Sequence, residues 1–293
     1  MIILTIVFAL IAIVVLRALT RRAALFIAGM TPGVPPALAG SRALARLRLL
    51  LARLAKRYPT LFTLIARRID PHRPTGLPLT LMVLAALYLL ALFSGLTEDI
   101  LEAQGIIRSD NMINAALNPW RVEPLVFIFL WITNLGSTPA IIATVIVATG
   151  FLWPQRGTYI ILALWVTCFG AVSTTAIGKL LVGRHRPEIL LDVNATGWSF
   201  PSGHATAAMA VYGFIAYAIA RAMPGFRERF EVIYCATVLI TLIGFSRMFL
   251  GVHYLTDILG GFLVGGFWLL IGFSITEGNR PHLLSEPLAD GDK

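Results

Sequence analysis

The sequence has few charged residues. Asp, Glu, Lys and Arg make up 13% of its 293 residues, against about 25% in typical soluble proteins. Charge is absent from residues 77–96, 157–178 and 258–276, and each run approaches the roughly 20 residues that a helix needs to cross a bilayer. Because hydrocarbon offers backbone groups no partners, such runs must be helical. The sequence therefore excludes a soluble globular protein and predicts a membrane protein.

Cysteine is also scarce. Cys168 and Cys235 both lie in apolar runs, so the sequence has neither a disulfide framework nor the spacing of metal ligands. Residues 1–16 are apolar but lack a basic leader and a following small-residue cleavage site, which argues against a removable signal peptide. We expect residues 1–16 to form a short membrane anchor. Three arginines would hold its cytoplasmic end: Arg17, Arg21 and Arg22.

Positive charge exceeds negative charge, and the formal net charge is +9. Residues 17–76 hold twelve Lys and Arg residues and one acid. The positive-inside rule places such charge beside apolar spans on the cytoplasmic side, so we expect no nucleic-acid partner. Within residues 41–68, several basic residues share about a third of a helical wheel: Arg42, Arg46, Arg53, Lys56 and Arg57. They predict a basic amphipathic helix on the bilayer surface, with a solvated linker as the alternative.

The apolar runs predict an all-α fold, a polytopic membrane bundle of six core transmembrane helices plus a short N-terminal apolar helix. The predicted core spans are residues 77–96, 137–153, 158–180, 203–221, 231–248 and 255–276. A short helix and a turn precede the second span, and residues 97–123 are predicted to be a polar loop. We predict three parts: residues 1–76 as anchor and basic cytoplasmic segment, residues 77–276 as the six-span domain, and residues 277–293 as a disordered cytoplasmic tail.

Three clusters of polar residues lie at the outward ends of these spans. The first contains Lys179, Arg186 and Pro187, the second is Pro201-Ser202-Gly203-His204, and the third contains Ser246, Arg247, His253 and Asp257. Alternating topology puts all three clusters on one face of the bundle. Charged residues at such positions are costly in a membrane and usually functional.

The cations of these clusters predict a phosphate site. Arginine forks match phosphate oxygens and lysine adds a point charge, and the site has Lys179, Arg186 and Arg247. Residues 202–204 open a predicted helix, whose free N–H groups bind anions. Together these groups would bind a phosphoryl group and its developing charge.

The histidines predict how that group reacts. His253 and Asp257 are four residues apart and so share a helical face. A carboxylate that holds one imidazole nitrogen leaves the other free to attack, and His204 can protonate the leaving oxygen. This pattern predicts two-step phosphoryl transfer through a phosphohistidine, with no metal and no cofactor, because the cations do the work of a metal. Arg184 and His185 are interpreted as flanking residues.

These residues resemble the type 2 phosphatidic acid phosphatase superfamily, whose motifs read K-x6-R-P, P-S-G-H and S-R-x5-H-x3-D, over about residues 77–276. The resemblance implies a six-span bundle in which His253 is the nucleophile, Asp257 its orienting partner and His204 the acid. It also implies phosphate binding by Lys179, Arg186, Ser202, Gly203 and Arg247. Vanadium-dependent haloperoxidases share these motifs on soluble chains, against which the apolar spans argue. A weaker resemblance to bacterial members covers residues 118–136.

The expected function is hydrolysis of a lipid phosphate or diphosphate at the outer face of the cell membrane. Undecaprenyl diphosphate is the first substrate expected, followed by phosphatidylglycerol phosphate and phosphatidic acid. A lipid phosphotransferase with an acceptor such as lipid A would use the same motifs and is the alternative. A transporter or scaffold would not need a His–Asp pair and a separate histidine. The expected partners are the lipid substrate and the bilayer, and the sequence leaves protein partners open.

Overall fold

The structure is a computed structural model that describes residues 14, 16–22, 53–70, 73, 75–102, 104–156, 158–187 and 196–279. The chain divides into two compact units, Met1–Arg67 and Arg68–Lys293. In the first unit, residues 16–22 and 53–57 are helical. Helix α1 (Pro59–Ile69) begins in the same unit. The predicted division at residues 76 and 276 stays a prediction.

The predicted basic amphipathic helix is partly described. Residues 53–57 and α1 are helical, and α1 has no buried residue along its length. The helical state is therefore confirmed for this part of residues 41–68. Residues 41–52 lie outside the described residues, and so does the predicted anchor apart from Val14 and Leu16.

The second unit is helical throughout its described core. Its helices are α2 (Leu77–Glu102), α3 (Gln104–Leu117), α4 (Glu123–Asn134), α5 (Thr138–Arg156), α6 (Thr158–Val182), α7 (Gly203–Ala222), α8 (Phe226–Phe249) and α9 (Leu255–Gly278). A short 3-10 helix, Asn118–Trp120, precedes α4. Strands do not occur in the part of the chain that the structure describes, which confirms the all-α prediction.

Five of these helices, α2, α6, α7, α8 and α9, are long and apolar enough to cross a membrane, counted over the described residues. Helix α4 and residues Thr138–Pro154 of α5 form a pair bent by 43° that makes a sixth candidate if the pair counts as one span. The predicted order of a short helix, a turn and a second helix is confirmed here, and the predicted span over residues 137–153 stays a prediction. The chain is thus a multi-pass membrane protein.

The prediction of a polar loop over residues 97–123 is wrong. Helix α2 continues to Glu102, and α3 follows it. The reason is an apolar pair in this segment, because Ile113 and Leu117 are four residues apart and share a helical face. Both pack against a buried cluster that consists of Ala205, Met248 and Ile258. The several acidic residues of the segment favour a loop, so the apolar pair was not recognised from the sequence.

Close contact between α7 and α9 organises the second unit. A Cβ atom added at Gly261 would lie 2.7 Å from the Ser202 carbonyl oxygen, and one at Gly265 would lie 2.6 Å from that of Thr206. Apolar lipid tails give no hydrophobic drive between helices, so close packing of small residues holds them together. As a result, the backbone N–H of Ser202 donates to the Asp257 carbonyl at 2.9 Å, which sets the second cluster beside the third.

Candidate active site

Side chains from α6, α7, α8 and α9 meet at one end of the second unit. The structure brings together all eight residues predicted from the sequence: Lys179, Arg186, Ser202, Gly203, His204, Arg247, His253 and Asp257. The backbone between α8 and α9 folds back on itself, since the N–H groups of Val252 and His253 both donate to the Arg247 carbonyl at 3.2 Å. This turn places His253 beside the start of α9.

The ring of His253 is held on both sides. Its Nδ1 lies 3.4 Å from Asp257 Oδ2, and its Nε2 lies 3.2 Å from Arg186 Nη1. A guanidinium can only donate, so Nε2 is assigned as the acceptor and Nδ1 as the protonated nitrogen that faces Asp257. His253 therefore presents an unprotonated nitrogen next to a cation, as a nucleophile for phosphorus requires.

Asp257 is fully buried and uses both of its oxygens. Oδ2 also accepts the backbone N–H of Tyr254 at 2.9 Å, a capping contact at the start of α9. Oδ1 accepts from Arg184 Nη1 at 2.7 Å, and the Arg184 guanidinium lies 4.4 Å from the centroid of the Tyr254 ring. Arg184 was interpreted from the sequence as a flanking residue, but the structure makes it a direct partner of Asp257.

Lys179 and Arg186 converge on one carbonyl group. Lys179 Nζ donates to the Trp198 carbonyl at 3.0 Å, and Arg186 Nη2 donates to the same oxygen at 3.4 Å. Arg186 Nη1 also donates to the Val252 carbonyl at 2.8 Å. These bonds hold two cations together at the Trp198 carbonyl, and Arg186 also lies beside the His253 ring.

Two buried polar atoms of this cluster, Ser202 Oγ and Arg247 Nε, have no hydrogen-bond partner among the described residues. Ser202 stands at the N-cap of α7, yet its hydroxyl does not cap the helix. A buried polar group left unpaired costs about 1–3 kcal/mol, so two such atoms in one cluster indicate a ligand. Phosphate oxygens would accept from both atoms and from the free N–H groups at the start of α7.

Residues at and just after the end of α4 also contact residues of the site. His204, at the start of α7, is close enough to Arg247 for the two side chains to interact electrostatically. A Cβ atom at Gly136 would lie 3.1 Å from the His204 ring. Thr133 accepts from Arg247 Nη1 at 3.1 Å, and both side chains are buried. Residues 118–136, for which the sequence shows only a weaker resemblance, therefore position two site residues.

Arg121, to which the sequence analysis assigned no role, binds the end of α8, which precedes His253. Its Nε donates to the Phe249 carbonyl at 2.7 Å, one of the last carbonyls of α8. A helix leaves these carbonyls without partners of its own. The side chains of Asn114 and Asn118 accept from the same guanidinium, so Arg121 links α3 to the end of α8.

The chain is similar to known proteins over much of its length. The profile of the PAP2 superfamily matches residues 156–281. Phosphatidylglycerophosphatase B of Bacillus subtilis (strain 168) is 31% identical over 208 residues, which cover 69% of this chain and 95% of that protein. The chain belongs to the PAP2 superfamily. The family predicted from the sequence motifs is thereby confirmed, and so is the enzyme class, a membrane lipid phosphatase.

A solved structure of a PAP2 protein has a similar fold. The crystal structure of the first transmembrane PAP2 type phosphatidylglycerolphosphate phosphatase, from Bacillus subtilis, matches with a TM-score of 0.63 and 27% identity, covering 67% of this chain and 98% of that chain. The crystal structure of Aquifex aeolicus LpxE matches with a TM-score of 0.45 and 22% identity, covering 59% of this chain and 96% of that chain.

Burial dominates the electrostatics of this PAP2 site. Desolvation lowers the pKa of His253 to about 4, and it outweighs the hydrogen bond and the charge of Asp257, which act in the opposite direction. The charges of Arg247 and Arg186 contribute to this lowering. Desolvation also lowers the pKa of the Arg186 guanidinium, which nevertheless stays charged in proteins. At neutral pH, His253 is therefore a neutral imidazole beside a cation.

We expect the His253 imidazole, the nucleophile predicted from the sequence, to stay unprotonated down to about pH 4. A lowered pKa means that acidification from pH 7 to pH 5 leaves the attacking form populated, whereas an ordinary imidazole is mostly protonated below about pH 6.5. The measurement is kcat/KM for p-nitrophenyl phosphate against pH, corrected for ionisation of the substrate. Its leaving group needs no acid catalyst, so the acid limb reports the nucleophile. An acid midpoint near 6.5 would contradict the expectation.

Proposed function

We propose that this PAP2 chain removes the terminal phosphate of phosphatidylglycerol phosphate and releases phosphatidylglycerol and inorganic phosphate. The observation that carries the reaction is the His253 ring held between Asp257 and Arg186. The substrate is suggested by the name of the Bacillus subtilis relative, phosphatidylglycerophosphatase B, of which 95% is covered. The solved Bacillus subtilis relative with a TM-score of 0.63 is called a phosphatidylglycerolphosphate phosphatase.

In the first step, Nε2 of His253 attacks the phosphorus atom. The P–N bond forms as the bond between phosphorus and the lipid oxygen breaks, and His204 gives its proton to that oxygen as general acid. Asp257 faces the proton on Nδ1 and stabilises the positive charge that the ring acquires. The products of this step are a phosphohistidine and the free lipid alcohol.

In the second step, water attacks the same phosphorus atom. The P–N bond breaks, its electron pair returns to Nε2 of His253, and His204 accepts the proton of the attacking water. The phosphoryl oxygens would be bound throughout by Lys179, Arg186, Ser202, Gly203 and Arg247. These groups offset the negative charge of the transition state, so we expect no metal and no cofactor to take part.

Other acceptors and substrates would use the same residues. Undecaprenyl diphosphate and phosphatidic acid also present a terminal phosphate to the cations. Undecaprenyl diphosphate stays a prediction, because neither the contacts of the described residues nor the names of the relatives favour it. A lipid phosphotransferase would differ only in the group that attacks the phosphohistidine, which would be a lipid such as lipid A in place of water.

We place the site at the outer face of the cell membrane and the C-terminus in the cytoplasm. The positive-inside rule supports this orientation, because residues 17–76 are rich in Lys and Arg and three arginines follow or end α7 at the opposite end from the site: Arg221, Arg227 and Arg229. A cysteine at exposed Thr196, with Cys168 and Cys235 replaced, should react with a membrane-impermeant maleimide in intact cells. Reaction only after lysis would reverse the orientation.

The substrate is tested with protein purified in detergent in the presence of EDTA. We expect inorganic phosphate to be released from phosphatidylglycerol phosphate with a kcat/KM at least about tenfold above that for the other two lipids. Faster release from undecaprenyl diphosphate would reassign the substrate. Turnover that needs an added acceptor lipid would make the protein a phosphotransferase, and loss of activity in EDTA would contradict a metal-independent reaction.

A further inference from the structure

A buried carboxylate outside the sequence motifs lies next to the active site. Asp110 of α3 is 2% exposed and precedes residues 156–281, which the PAP2 profile matches. Its Oδ2 accepts from Arg184 Nη2 at 2.7 Å and from the hydroxyl of Thr256. Its Oδ1 accepts the backbone N–H of Thr256 at 3.3 Å. Asp110 thus binds both the start of α9 and the segment after α6.

Arg184 connects this carboxylate to the nucleophile. Its Nη2 lies 2.7 Å from Asp110, and its Nη1 lies 2.7 Å from Asp257. The Arg184 side chain is 9% exposed, and the two carboxylates are 2% and 0% exposed. Asp257 in turn lies 3.4 Å from His253 Nδ1. We call these four residues the Asp110–His253 line.

We propose that Asp110 is a positioning residue that binds the guanidinium of Arg184 and so keeps the negative charge of Asp257 available to His253. The role assigned to Asp110 rests on the proposed function, since Asp110 acts through the nucleophile. Asp110 itself touches neither His253 nor any of the proposed phosphate-binding residues in its hydrogen bonds to the described residues.

The charges of the line explain why a second carboxylate is needed. Arg184 alone would neutralise Asp257, whereas Arg184 shared between two carboxylates leaves the three groups with one net negative charge. His253 becomes cationic when its Nε2 bonds to phosphorus, and a negative neighbour at a buried site stabilises that cation. Without the carboxylate of Asp110, Arg184 and His253 would compete for Asp257.

A purely structural role is the competing explanation, because Asp110 also ties α3 to α9. Loss of one partner from a buried ion pair is strongly destabilising, whereas loss of both partners together is tolerated better. Both explanations therefore allow the double variant to be more stable than Asp110→Asn, and they differ in kcat. A structural role makes kcat follow the folded fraction, whereas an electrostatic role changes kcat per folded molecule.

The first test is Asp110→Asn, which keeps the shape and removes the charge. We expect kcat for phosphatidylglycerol phosphate to fall roughly 10- to 100-fold, the range that one hydrogen bond to a charged group is worth, with KM changed less than about twofold. Phosphoenzyme formation in a single turnover should slow by the same factor. The matched control is Asp99→Asn on α2, an exposed carboxylate, which should leave kcat unchanged. Unfolding temperatures in the same detergent identify any variant that fails to fold.

The second test is the double variant Asp110→Asn with Arg184→Gln, which removes the uncompensated cation as well. We expect its kcat to be several-fold above that of Asp110→Asn, because Asp257 again carries an unshared negative charge. If Asp110→Asn cannot be purified, a folded double variant with kcat within about tenfold of wild type supports the proposal. A double variant below both single variants, or a folded Asp110→Asn with wild-type kcat, overturns it.

The results that would overturn the proposed function differ from those that would overturn the role of Asp110. Wild type that releases no phosphate, or His253→Ala that keeps releasing it, would overturn the proposed function before Asp110 is considered. Wild type that is active only with His253, together with an Asp110→Asn variant of unchanged kcat, would overturn the role of Asp110 alone.

Discussion

Replacing His253 with alanine is expected to lower phosphate release by about ten-thousand-fold or more, as loss of one member of a catalytic set that acts as a unit does. The Nε2 of His253 lies 3.2 Å from Arg186, and its Nδ1 faces Asp257. Alanine removes the atom that would bond to phosphorus and leaves the cations in place. We therefore expect lipid binding to persist while turnover stops.

The reaction with ³²P-labelled phosphatidylglycerol phosphate measures this directly. Wild type quenched within one turnover should carry acid-labile, alkali-stable label, as phosphohistidine does, and His253→Ala should carry none. The matched control is His185→Ala, because His185 is exposed and contacts the Trp198 ring at 5.3 Å between centroids. That variant should keep its activity within about threefold, the usual range for surface substitutions. Label retained in His253→Ala would assign the nucleophile to another residue.

Replacing Gly261 with alanine is expected to lower activity by about a hundredfold, the effect of displacing a catalytic group by roughly 1 Å. The added methyl group would lie 2.7 Å from the Ser202 carbonyl oxygen and 2.9 Å from the Ala205 Cβ. The first of these neighbours is backbone, so α7 must move away from α9. Ser202 would then move relative to Asp257, whose carbonyl its N–H binds. Overpacking of this kind also lowers stability by about 1–3 kcal/mol.

The control for this variant is Gly150→Ala. Gly150 lies within α5, and a Cβ atom there would meet nothing within 4 Å. Alanine is favoured over glycine in helices by about 1 kcal/mol, so Gly150→Ala should be neutral or stabilising. Activity and unfolding temperature in detergent are measured for both variants. Wild-type activity in Gly261→Ala would mean that the contact between α7 and α9 does not set the geometry of the site.

Most of the membrane bundle could be predicted from charge-free runs. Because hydrocarbon forces each run into a helix, the predicted spans 158–180, 203–221 and 255–276 agree with α6, α7 and α9 within a few residues. Helix α3 could not be found in this way, since it lies in a segment with several acids. Its only signal is the spacing of Ile113 and Leu117, and their packing against α8 and α9 is a tertiary contact.

Site residues could be predicted where the side-chain type suits catalysis. They could not be predicted where the role depends on backbone geometry. His253, Asp257 and His204 are of types that catalysis uses, and their places at the ends of spans fixed a common face. Arg184 was passed over because it adjoins His185 and Arg186. The segment 183–187 is not helical, so Arg184 and Arg186 both turn toward the site and His185 turns away. These alternating side-chain directions require α6 to end before residue 183, and the sequence does not fix that end.

The convergence of Lys179 and Arg186 on the Trp198 carbonyl also governs how turnover ends. Like charges that are held together repel one another, and an anion bound between them relieves that repulsion. A ligand that binds only the folded state stabilises it, and the stabilisation grows as the ligand concentration rises above the dissociation constant. Inorganic phosphate carries the same oxygens as the group that was transferred, so the product is itself such a ligand. We therefore expect product release to cost free energy, and we expect accumulated phosphate to inhibit the enzyme and to protect it from unfolding.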